Sequence, residues 1–193
     1  PALGRPPEAP VAKAVWLGLA SKDEGIRRAA ALGCAQLGPR RGARRGLTLL
    51  ASKDFELRSA GARCLGVLRV SAAVPALIAA LGKESQLGTI RALASIGDHR
   101  ATKVLLRLLK EDHPATRQGE RLEVLDGLAR LGDSRAAPAL ERELAHPAWQ
   151  VRRAAALALA RAGRKRSKVA LRVCTNDYYA AVRVACRRAL DAR

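Results

Sequence analysis

The sequence lacks most of what a sheet protein, a membrane protein or a metalloenzyme would need. Its 193 residues hold no Met and only two Trp, two Tyr and one Phe. Strands are enriched in aromatic and β-branched side chains, whereas this chain is dominated by Ala and Leu, which suit close-packed helices. No apolar run reaches the length of about 18 residues that a membrane span requires. The four cysteines, Cys34, Cys64, Cys174 and Cys186, form no CxxC or CxxCH pattern, so neither a zinc ribbon nor haem attachment is indicated. They are read as small buried hydrophobes rather than as disulfides. Acidic residues are also scarce: 17 Asp and Glu face 36 Lys and Arg, a net charge of +19. A field of that sign favours anionic partners. A cytoplasmic location is expected, and because the chain begins at Pro1 without an initiator Met its N-terminus reads as truncated or processed, which leaves export open.

What is present is periodic. Residues 1–10, PALGRPPEAP, are too rich in proline for a helix or a ladder and read as a leader or linker. From Val11 to Arg193 we expect a single domain of about five full repeats with partial ends. Small or exceptional residues that close a helix, Gly38, Arg69, Gly97, Gly132 and Gly163, recur at spacings of 31, 28, 35 and 31 residues. SKD at Ser21 recurs at Ser52. Aligned on these anchors, the helices that precede them carry IRRAAALGCAQLG, LRSAGARCLGVLR, SQLGTIRALASIG, ERLEVLDGLARLG and VRRAAALALARAG, and VRVACRRALDAR follows as a sixth. Val151, Ala154, Ala155, Ala158, Leu159 and Ala162 make one apolar stripe at helical spacing, as do Ala101, Val104, Leu105 and Leu108 in a shorter helix after its anchor. Such short helices are unstable alone in water, and stacking them in order buries every stripe. The fold expected is all-α, an α-solenoid of about 12 helices.

Gly-Asp-x-Arg-Ala, a Leu-spaced helix, a polar turn and Val-Arg-Arg-Ala-Ala, read over Leu131 to Gly163, resemble the short bacterial HEAT repeat that also occurs in phycobilin lyases. The resemblance implies a right-handed superhelix of HEAT-like hairpins. It says little of chemistry, because the matching positions are structural. The third unit departs from the pattern by lacking the Val-Arg pair, and the fourth by starting its first helix early, near Pro114 to Arg117.

Two columns of arginine stand out. Arg27, Arg58, Arg152 and Arg183 follow the branched or aliphatic residue of a first helix, and Asp23–Arg27 and Asp54–Arg58 are expected as i, i+4 pairs. A structural ladder is the favoured reading of this column. Arg41, Arg100, Arg135 and Arg166 lie three residues after an anchor and are expected to line one edge of the stack. Around them gather Arg40, Arg44 and Arg45 near the start, and Arg164, Lys165 and Lys168 near the end. Repulsion within these clusters has no evident structural purpose, so they are the candidate anion- or partner-binding residues. Trp149, Tyr178 and Tyr179 are candidate aromatic anchors, with packing favoured for Trp149. Between Glu111 and Glu143 the charge turns acidic, which would repel a polyanion laid along the whole stack.

An enzyme finds little support. His113 and His146 lack the spacing of a metal site, and no nucleophile–base pair or phosphate-binding Gly loop can be assembled. No metal, cofactor or catalytic residue is assigned. The sequence points to a non-enzymatic scaffold that binds a protein with an acidic surface, with self-association through the end repeats open to it. The alternative is a nucleic-acid-binding solenoid that grips phosphates, in the manner of the HEAT-like alkylpurine DNA glycosylases; an activity like that of bilin lyases comes third.

Overall fold

In the computed structural model the described residues are 10–19, 21–33, 38–81, 87–110, 118–162 and 167–191. They form twelve α-helices, with short 3-10 turns and no strand among them. The chain divides into two compact units, residues 1–92 and 93–193. The first holds α1 (Pro10–Leu19), α2 (Glu24–Gly33), α3 (Pro39–Leu50), α4 (Phe55–Val67) and α5 (Val74–Ala80). The boundary falls within α6 (Leu87–Ile96), and the second unit continues with α7 (Arg100–Lys110), α8 (Gln118–Leu131), α9 (Ala137–Glu143), α10 (Trp149–Ala162), α11 (Lys168–Cys174) and α12 (Ala180–Asp191). Within each unit consecutive helices pair as hairpins, such as α3 with α4 and α11 with α12, and alternate helices stack, α2 on α4 in the first unit and α8 on α10 and α10 on α12 in the second. This is the HEAT-like solenoid construction expected from the repeat. The early start of the fourth unit near Pro114 lies outside the described residues.

Four of the anchors mark left-handed turns, and the fifth, Gly163, lies outside the described residues. Gly38, Gly97 and Gly132 have φ of 79°, 73° and 61°, values that cost glycine nothing. Arg69 takes the same place at φ 50°, a strained conformation for a residue with a Cβ. Gly61 has a different purpose: a Cβ there would lie 2.6 Å from Leu50 N and 2.7 Å from Gly46 O. The backbones of α3 and α4 therefore touch, with Gly42, Gly46, Leu49 and Leu50 as the inner face of α3.

The α10 stripe is broader than one seam. Ala156 is fully buried and Ala154 only partly, because α10 packs against both α8 and α12 and needs small residues on two sides. The cysteine reading is corrected. Cys174 and Cys186 are buried, yet they are joined in a disulfide between α11 and α12, Cα atoms 6.0 Å apart. Cys64 is disulfide-bonded as well, and Cys34 lies outside the described residues. The pairing escapes motif reading because it arises from stacking, twelve residues apart across a helix hairpin. No helix among the described residues is long and apolar enough to cross a membrane.

Candidate partner-binding surfaces

The first arginine column is structural, by a different device from the one expected. Each side chain folds back over the turn before its helix, and Nη1 donates to the carbonyls six and five residues earlier. Arg27 reaches Ser21 O at 2.8 Å and Lys22 O at 2.7 Å, and Arg58 reaches Ser52 O at 3.2 Å and Lys53 O at 2.6 Å. Arg152 meets His146 O and Pro147 O at 2.9 and 2.8 Å, and Arg183 meets Asp177 O and Tyr178 O at the same two distances. Where a second edge of the guanidinium is engaged, it reaches a carboxylate of the next repeat: Arg27 Nη2 to Glu56 at 2.7 Å, Arg152 Nε and Nη2 to Asp177 at 2.6 and 2.9 Å. The i, i+4 pairs do not form. Asp23 instead accepts Ile26 N, and Asp54 accepts Glu56 N and Leu57 N, because a carboxylate just before a helix is better used on its unpaired amides.

The second column divides. In the Gly-Asp-x-Arg turns the aspartate captures the arginine two residues on. Asp98 accepts from Arg100 Nε at 3.0 Å and from Nη2 at 2.6 Å, and Asp133 accepts from Arg135 Nε and Nη2 in the same fork. Asp133, 8 % exposed, also accepts Thr102 Oγ1 at 2.9 Å. These bonds hold Asp98 down to about 2 and Asp133 well below the usual carboxylate range, with the arginine hydrogen bond as the largest cause in both. Arg100 and Arg135 are accordingly raised by the same contacts. They remain at the surface, but their charge is compensated at home.

No such aspartate precedes Arg41, where Pro39 stands instead. The first turn of α3 carries no acid and Gly38 offers no capping side chain. Because Gly42, Gly46, Leu49 and Leu50 face inward, Arg40, Arg41, Arg44 and Arg45 are all exposed. Arg40, Arg41 and Arg44 meet no carboxylate among the described residues. Lys168 is exposed at the start of α11, while Arg164, Lys165 and Arg166 lie outside the described residues.

The acidic stretch is largely spent inside unit 2. Glu143 takes Arg121 at 2.6 Å, Asp126 takes Arg130 at 2.7 Å, and Asp133 takes Arg135. Trp149 stacks on Tyr179 with centroids 5.6 Å apart, Tyr178 stands edge-on to Tyr179 at 5.3 Å, and Arg152 lies 5.6 Å over the Tyr179 ring. Arg58 lies 6.0 Å from the Phe55 ring in the equivalent joint. Trp149 and Tyr179 thus pack the repeat joint beside the Arg152–Asp177 pair, whereas Tyr178 is 88 % exposed. Within unit 2 an open cavity of about 560 Å³ lies between α9 and α11, lined by Glu141, Leu144, Ala170, Val173 and Asp177 among others. No group of His, Cys, Asp or Glu among the described residues could hold a metal ion.

The stacked hairpins, the left-handed anchors and the arginine clamps make a HEAT-like helical-repeat fold. The family model for HEAT repeats matches residues 47–125. In sequence the chain is 41 % identical, over 109 residues, to the bilin biosynthesis protein PecE of Mastigocladus laminosus, which covers 54 % of this chain and 39 % of PecE. It is equally similar to PecE of Nostoc sp. PCC 7120, over 110 residues, 54 % of this chain and 42 % of that protein. The chain therefore spans about two fifths of the length of these relatives. In structure it resembles an engineered protein, with a TM-score of 0.64, 22 % identity and coverage of 94 % and 95 % of the two chains. It also resembles the CpcE–CpcF complex of phycocyanin lyase from Nostoc sp. PCC 7120, with a TM-score of 0.62, 24 % identity, and coverage of 96 % of this chain and 77 % of that one.

Proposed function

We propose that this protein is a HEAT-repeat scaffold that holds an acidic protein partner against the arginine face of α3. One observation carries the reading: Arg40, Arg41 and Arg44 are exposed and meet no carboxylate among the described residues, in a molecule that neutralises so many of its other arginines internally. Packed backbones fix the helix that presents them, so the charges are pre-positioned and lose little freedom on binding. Lys168, exposed at the start of α11, would be a second basic site, in unit 2. The net charge of +19 would steer an acidic partner in. A cytoplasmic location goes with this reading.

The similarity to PecE favours a second reading, in which the scaffold serves bilin biosynthesis and shares in its chemistry as a subunit of an enzyme. The carboxylate groups of a linear tetrapyrrole would suit the same arginines.

Both readings are tested by titrating the protein with poly-L-glutamate, biliverdin and a short DNA duplex across a salt series. The double variant Arg41→Glu/Arg44→Glu should weaken polyglutamate binding about tenfold or more with helicity unchanged. Binding that survives the reversal would sink the scaffold reading. Biliverdin binding lost with the same variant would favour the bilin reading, and a duplex bound in preference to polyglutamate would restore the nucleic-acid alternative.

A further inference from the structure

The second helices of the hairpins in unit 2 keep one ridge in solvent, and α11 builds that ridge from apolar residues. Leu105, Leu140 and Leu171 are fully buried at the same place in α7, α9 and α11. The residues two before and two after each of them are exposed: Lys103 and Arg107, Pro138 and Arg142, Val169 and Val173. On α7 and α9 the ridge stays exposed although further hairpins follow, so its exposure belongs to the face and not to the place of α11 in the chain. Cations suit such a face and valines do not. At 73 % and 70 % exposed, Val169 and Val173 are the most exposed aliphatic side chains among the described residues. They stand one helical turn apart, in the i, i+4 row by which helices pack on helices.

Val173 also lines the open cavity between α9 and α11. Leu144, Ala145 and Ala170 continue that apolar lining, and Glu141 stands among them. Glu141 is an acid that unit 2 leaves over. Asp126, Asp133, Glu143 and Asp177 are each taken by an arginine, whereas Glu141 meets no cation among the described residues. The helices α9 and α11 end beside the cavity, at Glu143 and Cys174, and the last carbonyls of a helix add partial negative charge. An apolar groove thus carries uncompensated negative charge on a chain whose net charge is +19.

We propose that Val169, Val173 and the α9–α11 cavity form a docking groove for a basic amphipathic helix of a partner protein. Its apolar row would seat on the valines and in the cavity, and a Lys or Arg beside that row would take Glu141. The groove prefers the opposite charge from the arginine face of α3 and does not rest on the reading of that face. The field of the whole chain repels a cationic segment, so binding of one requires the local carboxylate and the apolar contacts.

The test is fluorescence anisotropy of a labelled Leu–Lys peptide, with leucines at helical spacing, titrated with the full chain at physiological salt. Binding is expected. Val169→Ser/Val173→Ser, at two exposed positions, should weaken it about tenfold or more with helicity unchanged. Glu141→Gln should weaken it about threefold or more, and Glu141→Lys should abolish it. Arg41→Glu/Arg44→Glu should not weaken it, which separates the groove from α3. A Leu–Lys peptide that does not bind, or binds with indifference to the valines and Glu141, would overturn the proposal even where polyglutamate binding by α3 holds. So would valine-dependent binding to phosphatidylserine vesicles without peptide binding, which would give the ridge to a membrane surface. Valine-dependent self-association in sedimentation velocity, again without peptide binding, would overturn it in favour of a second copy of this chain.

Discussion

Two arginine-bearing turns of the same repeat, Gly-Asp-x-Arg before α9 and Gly-Pro-Arg-Arg at the start of α3, differ by the residue after the glycine. In the first, Asp133 captures Arg135 and Thr102 and the turn is electrically closed. In the second, Pro39 begins the helix, and Arg40 and Arg41 meet no carboxylate among the described residues. The repeat thus contains its own standard for what a structural arginine looks like. An arginine that fails that standard while standing on a rigid helix is a candidate for recognition.

The comparison is broken most severely at the α10–α12 joint. Arg152 and Asp177 are 14 % and 10 % exposed, and removing one partner strands the other charge. Arg152→Ala should therefore destabilise unit 2 by about 3–5 kcal/mol, whereas Arg44→Ala on α3 should stay within about 0.5 kcal/mol of wild type. Urea unfolding of the two variants measures the contrast, and equal losses would show that the α3 arginines are structural after all.

Acid sharpens it next. Asp98, Asp133 and Asp177 are all depressed, each mainly by its arginine. A depressed carboxylate contributes stability above its unfolded value of about 3.9, and loses it as pH falls through the folded value. Thermal unfolding should be flat above about pH 5 and drop between about pH 4 and pH 2. Asp133→Asn should remove part of that drop and lower stability at neutral pH by about 1–3 kcal/mol. The smallest effect concerns an anchor: Arg69→Gly relieves a positive φ and should stabilise the first unit by about 1 kcal/mol, read as a small rise in Tm.

The helical phases were legible because stripes of Ala and Leu recur with the chain's own period. The anchors were legible too, even Arg69, since spacing alone put an arginine where a glycine belongs. The partners of the charges were not. Helix-surface rules pair residues four apart, but Arg27 and Arg58 bend back over a non-helical turn, and Asp98 and Asp133 reach two residues ahead where the chain is not yet helical. The turn position of Trp149 matches that of Phe55, and each ring stands beside the clamp arginine of its joint. The exposure of Arg40, Arg41 and Arg44 followed from the glycines of α3, once those were known to face α4.

The bond between Cys174 and Cys186 encloses the turn that carries Tyr178, the most exposed aromatic side chain described. Chymotrypsin cutting beside that ring would sever the peptide chain without separating its two pieces. The nicked protein would keep its full mass on a gel run without reductant and split only when thiol is added.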